Sequence, residues 1–268
     1  MSIRALENIP AGTELFVQYA PSRMFIHRCV KLERLMGIPC SCEHCKDNQE
    51  DGMEAHEKRE KLHKALADRI AKDDFPEPSE SRSKHRTYFE ARQKRALEDI
   101  KEMTATYGAH RDDYRPDLTE FYHELTSMCK LMFLRSRDPA ESKLYLESSF
   151  SSLRSDGIEL ADDPKPKGKQ RIVPQLEGLP VRTLPYGPQS SGITTMIELS
   201  IHYSLVRRDQ PTSLAWWKAA ETVAVLIGTP SLELFKQHYE PVSRPVGLQK
   251  RDDMADLVCF FTRSVSIA

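Results

Sequence analysis

The sequence predicts a mainly α-helical protein that opens on a short β segment and a thiolate loop. Three observations carry this. The first twenty residues alternate apolar and polar around Pro10-Ala11-Gly12, with Leu15, Val17 and Tyr19 on one face, as strands around a turn do. From residue 22 onward most of the chain keeps helical spacing instead. Near the change of regime stands IPCSCEHC, in which Cys40, Cys42 and Cys45 form a CxCxxC cluster. Thiols separated by one and then two residues converge on one tetrahedral ion more easily than they pair with each other. Zinc takes four ligands in a structural site, so the cluster is one short.

Each element has its own signal. Residues 22–36 read as a helix, with Phe25, Ile26, Cys29, Leu32, Leu35 and Met36 at spacings of one, three and four. The cysteine loop occupies 37–48. A charged amphipathic helix is predicted over 50–74, its stripe formed by Leu62, Leu66 and Ile70, and DFPEPSESRS (74–83) is a loop or linker. From 84 to about 155 the chain is predicted all-helical. Phe89, Leu97, Ile100, Met103 and Tyr107 form one stripe. Asp117 with Glu120 three residues on resembles a capping box ahead of Leu118, Phe121, Tyr122, Leu125, Met128, Cys129 and Met132. Asp138-Pro139 starts a further helix.

Residues 156–190, rich in proline, glycine and charge, are either a loop between helices or a flexible insert. Helices at 191–207 and 212–227 come next, the second with Trp216-Trp217, of which at least one belongs in a core. Their hairpin resembles a single tetratricopeptide unit. Another helix restarts at Thr229-Pro230, and the apolar tail around Leu257, Val258, Phe260 and Phe261 is suited to docking on the body. The domains are thus expected at 1–48, 49–83 and 84–268, with the insert near 156–190.

Composition narrows the function classes. The 39 basic and 40 acidic residues nearly cancel, so no global charge recruits nucleic acid or anionic lipid. The basic tract Lys165, Lys167, Lys169, Arg171 lacks interleaved aromatics for base stacking and reads as a solvated loop. Six cysteines, three of them in the cluster, make no disulfide framework, which points to a reduced compartment, nucleus or cytoplasm. MSIRALENIPAG is not a signal peptide, and no apolar run approaches the roughly 18 residues of a membrane helix, so no membrane partner is expected. No Ser-His-Asp array, P-loop or dinucleotide glycine motif is present.

RALENIPAGTELFVQY, then Arg28-x3-Leu32, then the three cysteines together resemble the end of a SET domain followed by its post-SET zinc loop. Arg4-Ala5, Ile9, Gly12, Glu14-Leu15, Tyr19, Arg28 and Leu32 fall on matching positions. The helical region behind them most resembles the SET-and-MYND branch and its fungal relatives. The resemblance implies a protein-lysine methyltransferase using S-adenosylmethionine, with a histone or other lysine-bearing protein as substrate. It implies that Tyr19 lines the lysine channel, orienting the amine for in-line methyl transfer. Cys40, Cys42 and Cys45 match three of the four zinc ligands.

The departures bear on activity. The family's glycine-rich cofactor motif and Asn-His-x-Cys motif lie upstream of the segment matched here, and that cysteine is the fourth zinc ligand in the SET-and-MYND branch. Asn8 and Asn48 are the only asparagines, and neither precedes a histidine. Ile38 stands where an aromatic commonly faces the adenine. The expectation is therefore the C-terminal portion of a SET enzyme, inactive as this chain alone. Cys29 or His44 are local alternatives for the fourth ligand. A non-enzymatic helical interaction module with a zinc-binding loop is the alternative function.

Overall fold

A computed structural model describes residues 30, 33–34, 37, 43–72, 76, 81–109, 115–136, 138–163, 173–184 and 190–227. The chain divides into two units, Met1–Gly228 and Thr229–Ala268, and every described residue lies in the first. The fold is mainly α. Seven helices are described: α1 (Glu43–Asp51), α2 (Met53–Ala71), α3 (Arg82–Thr104), α4 (Thr119–Ser136), α5 (Pro139–Ser155), α6 (Ser190–His202) and α7 (Gln210–Leu226). Among the described residues there is no strand, only an isolated antiparallel bridge between Leu160 and Val181. None of these helices is long and apolar enough to cross a membrane. The predicted β segment over 1–20, the restart at 229 and the apolar tail lie outside the described residues.

Two boundaries differ from the sequence reading. The cysteine loop predicted over 37–48 gives way to helix at Glu43, so Cys45 is helical. The single helix predicted over 50–74 is two helices, broken at Gly52. That residue has φ +83°, a conformation a side chain strongly disfavours. In α2, Leu62 and Leu66 are buried as predicted, but Ile70 is exposed and His56 and Arg59 take the inner face instead.

The middle of the chain packs as a series of neighbouring helices, α3 on α4 and α4 on α5. Ser81 caps α3, its hydroxyl accepting from the Lys84 amide at 3.3 Å. Phe89, Ile100 and Met103 are buried, whereas Leu97 faces solvent and Ala96 sits inside. Leu97 therefore drops from the predicted stripe, and Ala96 takes an inner position. Asp138 caps α5 by accepting from the Ala140 amide at 2.9 Å, as the Asp-Pro signal predicts. Across the α4–α5 contact Phe121, Leu125, Cys129, Tyr145 and Leu153 are buried, and the Thr126 hydroxyl donates to Ser148 at 2.9 Å.

Of the 156–190 segment, residues 156–163 and 173–184 are described, and they fold back on the helices. The α5 terminus closes with amides of Gly157 and Ile158 donating to carbonyls of Arg154 and Leu153, both at 2.9 Å. Ile158, Leu176 and Val181 are buried. Arg154–Asp163 (2.6 Å) and Arg182–Glu159 (3.0 Å) pin the two limbs. Gly192 in α6 marks the tightest approach, because a Cβ there would lie 2.6 Å from Ile158 Cδ1. Gly192→Ala is expected to destabilise the protein by up to about 2 kcal/mol, the roughly 1–3 kcal/mol of overpacking against Ile158 being offset by the roughly 0.5–1 kcal/mol that alanine gains over glycine in a helix. Chemical denaturation reads this directly, and an unchanged midpoint would show that the Ile158 strap yields.

Helix α6 widens into one π turn at Tyr203–Arg207 and stops at Arg208, which has φ +54°. Asp209 then caps α7, accepting from the Thr212 amide at 3.1 Å. The α6–α7 pair packs through Ala219, Ala220, Val223 and Ala224, with the Ser213 hydroxyl donating to the Ser200 carbonyl at 2.8 Å. Trp216 is the core member of the tryptophan pair, and Trp217 keeps its indole N–H on Glu221 at 2.8 Å.

Candidate functional site

Tyr19, Cys40 and Cys42 lie outside the described residues, as do the side chains of Cys29 and His44. Cys45 is placed. It is fully buried in the first turn of α1 and forms no disulfide. Among the described residues no three His, Cys, Asp or Glu side chains converge to hold a metal ion, and Cys45 is the one member of the predicted triplet they include.

The helix carrying Cys45 is clasped to the body by a buried polar network. Arg59 on α2 is 2% exposed and is its centre. Its Nη2 pairs with the Asp51 carboxylate at 2.8 Å and donates to the Thr106 carbonyl at 2.7 Å, while Nε donates to Thr106 Oγ1 at 2.8 Å. The guanidinium lies 3.8 Å from the centre of the Tyr107 ring, and Nη1 stands 3.9 Å from Asp117. Asp51 in turn accepts from the Gly108 amide at 2.9 Å. On the other side, His56 Nε2 reaches the Asn48 carbonyl at 2.6 Å. The last turn of α1 is thus bonded to both α2 and the turn after α3.

Asp117 corrects the sequence expectation. It does not cap a helix. It sits in a 3₁₀ turn (Pro116–Leu118), buried, with Tyr107 Oη donating to it at 3.0 Å and His63 at 3.7 Å. Burial works to raise its pKa, but the His63 and Arg59 charges and the Tyr107 bond together hold it below the ordinary carboxylate range. Burial likewise opposes protonation of His63, yet Asp117 and Glu120, the latter at 3.2 Å, raise that imidazole to about 9. His56 goes the other way. Burial lowers it, with the neighbouring Arg59 charge adding to the effect.

Two further groups look reactive by residue type and are closed off by packing. Ser142 Oγ and His202 Nε2 are 3.2 Å apart, but both are buried, with Tyr145 and Phe133 rings at 4.7 and 5.8 Å from the imidazole. No substrate reaches that hydroxyl. Burial pushes the Cys129 thiol up to about 12, so it packs as an apolar group.

Sequence reading missed the Arg59 network. Its trace was nevertheless present: His56, Arg59 and His63 share the helical spacing of Leu62 and Leu66, which puts charge on an inner face. Comparison of the chain with protein-family models, curated proteins and solved structures found no match.

Proposed function

We propose that this chain carries the C-terminal end of a SET-type, S-adenosylmethionine-dependent protein-lysine methyltransferase, joined to a helical, tetratricopeptide-like body, and that it does not catalyse alone. The observation that carries this reading is the correlated series from Arg4 to Cys45, in which Gly12, Glu14-Leu15, Tyr19, Arg28, Leu32 and the CxCxxC triplet keep one order and spacing. In this reading Tyr19 orients the target lysine, and Cys40, Cys42 and Cys45 supply three thiolates to zinc, which ties the loop together as a fold element. Cys45 takes part in no disulfide, as that donor role requires. The partner is a protein bearing the lysine, and the compartment is nucleus or cytoplasm.

The chain's own residues do not supply the Asn-His motif that the family uses for its cofactor. Calorimetry is therefore expected to find no S-adenosylmethionine binding to this chain, and micromolar affinity would overturn that expectation. Zinc is expected at well below one equivalent, or labile to mild chelators, because three thiolates leave one position to be filled. Tight stoichiometric zinc would identify a local fourth ligand.

A second reading, a non-enzymatic helical interaction module capped by the zinc loop, is favoured by the α6–α7 hairpin with its small-residue packing. In-frame genomic sequence ahead of Met1 separates the two. A glycine-rich SET start with Asn-His-x-Cys supports the enzyme reading. Transcripts that begin at Met1 support the module.

A further inference from the structure

Helix α1 is fastened to α2 at two points, and the two differ in kind. One is the Asp51–Arg59 pair, whose guanidinium keeps its charge at every physiological pH. The other is His56, 4% exposed on the inner face of α2, whose Nε2 lies 2.6 Å from the Asn48 carbonyl. A carbonyl only accepts, so Nε2 is the donor. On the other side Nδ1 lies 3.4 Å from Arg59 Nη1, and a guanidinium only donates, so Nδ1 is the acceptor. The two neighbours therefore specify a neutral ring in one tautomer. An added proton must enter at Nδ1, where it meets the Arg59 donor head on.

We propose that α1 is an acid-released clasp: uptake of one proton by His56 detaches α1 from α2 while the helices behind it stay folded, and turns the buried Cys45 out to solvent.

The charges around the ring have been placed by the fold. Asp51 faces it from α1 and Asp117 from the 3₁₀ turn, and both draw a proton toward it. Each is already engaged, however, Asp51 by Arg59 and the Gly108 amide, and Asp117 by Tyr107 Oη and His63. Burial first, and the Arg59 charge after it, prevail and hold the imidazole below its ordinary 6.5. The sign follows. Above pH 6.5 neither the closed nor the opened form carries the proton. Below it the opened form takes the proton and the closed form does not, so opening is favoured as pH falls.

α1 is built to open by itself. It has nine residues, too few to persist as a helix in water without tertiary contacts. Gly52, at φ +83°, breaks the helical ladder between it and α2. Opening of such a segment costs less than global unfolding.

The test follows hydrogen exchange of the α1 amides in the full chain at pH 7.5 and pH 5.5, as protection factors corrected for intrinsic rate. Wild-type α1 is expected to lose protection by up to about tenfold at the lower pH, the limit for one proton taken up over one pH unit below 6.5. His56→Gln keeps an N–H donor for the Asn48 carbonyl and cannot titrate, so its α1 protection is expected to be equal at the two pH values. His202→Gln is expected to retain the full wild-type loss in α1, because local opening does not release His202. Unchanged α1 protection in wild type, a loss that persists in His56→Gln, or a loss abolished by His202→Gln would each overturn the proposal. Should His56→Gln already free α1 at pH 7.5, the ¹³C-labelled imidazole signal that this variant lacks decides the matter in wild type. A titration midpoint below 6.5 is expected, and one at or above 6.5 overturns the clasp.

Discussion

Replacing Arg59 with methionine is expected to cost about 3–5 kcal/mol of folding stability, which corresponds to a fall in melting temperature on the order of 10 °C for a chain of this size. Methionine keeps the aliphatic stem packed, so the loss is electrostatic. It takes the Arg59 cation away from the fully buried Asp51 carboxylate, and it removes the guanidinium donors from the Thr106 carbonyl and hydroxyl. An uncompensated buried charge is the expensive outcome, whereas removing a pair together is nearly neutral. The double variant Arg59→Met with Asp51→Asn is therefore expected to recover a large part of the loss, since the amide oxygen still accepts from Gly108. Urea midpoints of the three proteins check this. A single-variant loss below about 1 kcal/mol, or a double variant no better than the single, would show that water reaches the pair and screens it.

The same substitution reports on the Cys45 helix. Asp51 is the last residue of α1, and its bonds to Arg59 and Gly108 join α1 to the helical body. Arg59→Met is expected to speed hydrogen exchange of the α1 amides more than those of α4 or α5, because a helix of this length is marginal without tertiary contacts.

Much of the helical body is legible in the sequence because its signals are local. Asp138-Pro139 caps α5 where the dipeptide predicts, and Phe121, Leu125, Met128 and Cys129 bury at the spacing that announces them. The departures share one cause. Ile70 and Leu97 are apolar residues at the right period that nevertheless face outward, while Arg59, His56 and Asp117 are polar and face inward. Periodicity shows which residues share a face. It does not reveal that a face pairs its charges across 40 or more residues of chain, as Arg59 does with Thr106. Asp117 illustrates the same limit: three residues ahead of Glu120 it reads as a cap, and only the fold brings His63 and Tyr107 to its carboxylate. The Gly52 break escapes the sequence because one glycine in a charged run is a weak signal until its positive φ is seen. The candidate site is legible in a different way. Its Tyr19 and thiolate cluster are a sequence pattern, and the structure adds to it the helical position of Cys45.

Acid is expected to destabilise the protein through His202 before most carboxylates titrate. Burial is the main cause that takes this imidazole from 6.5 down to about 4, with the Arg207 and Lys130 charges adding to it. The sign follows from linkage. Above pH 6.5 neither the folded nor the unfolded state holds the proton. Between 6.5 and about 4 the unfolded chain takes it up and the folded protein does not, so stability falls by about 1.4 kcal/mol per pH unit, about 3 kcal/mol in all. His202→Gln keeps a partner for Ser142 but cannot titrate, and its stability-versus-pH curve is expected to be flatter than wild type across that window by this amount. His63 shapes the alkaline limb in the opposite sense. Raised to about 9, it contributes stability that is complete below pH 6.5 and is lost as pH rises to about 9. Asp117 and Asp163, both held low, give way only below the ordinary carboxylate range. The two histidines therefore place their joint optimum near pH 6.5, and parallel wild-type and His202→Gln curves between pH 6.5 and 4 would show that the imidazole is solvated and that the Ser142 pocket opens in solution.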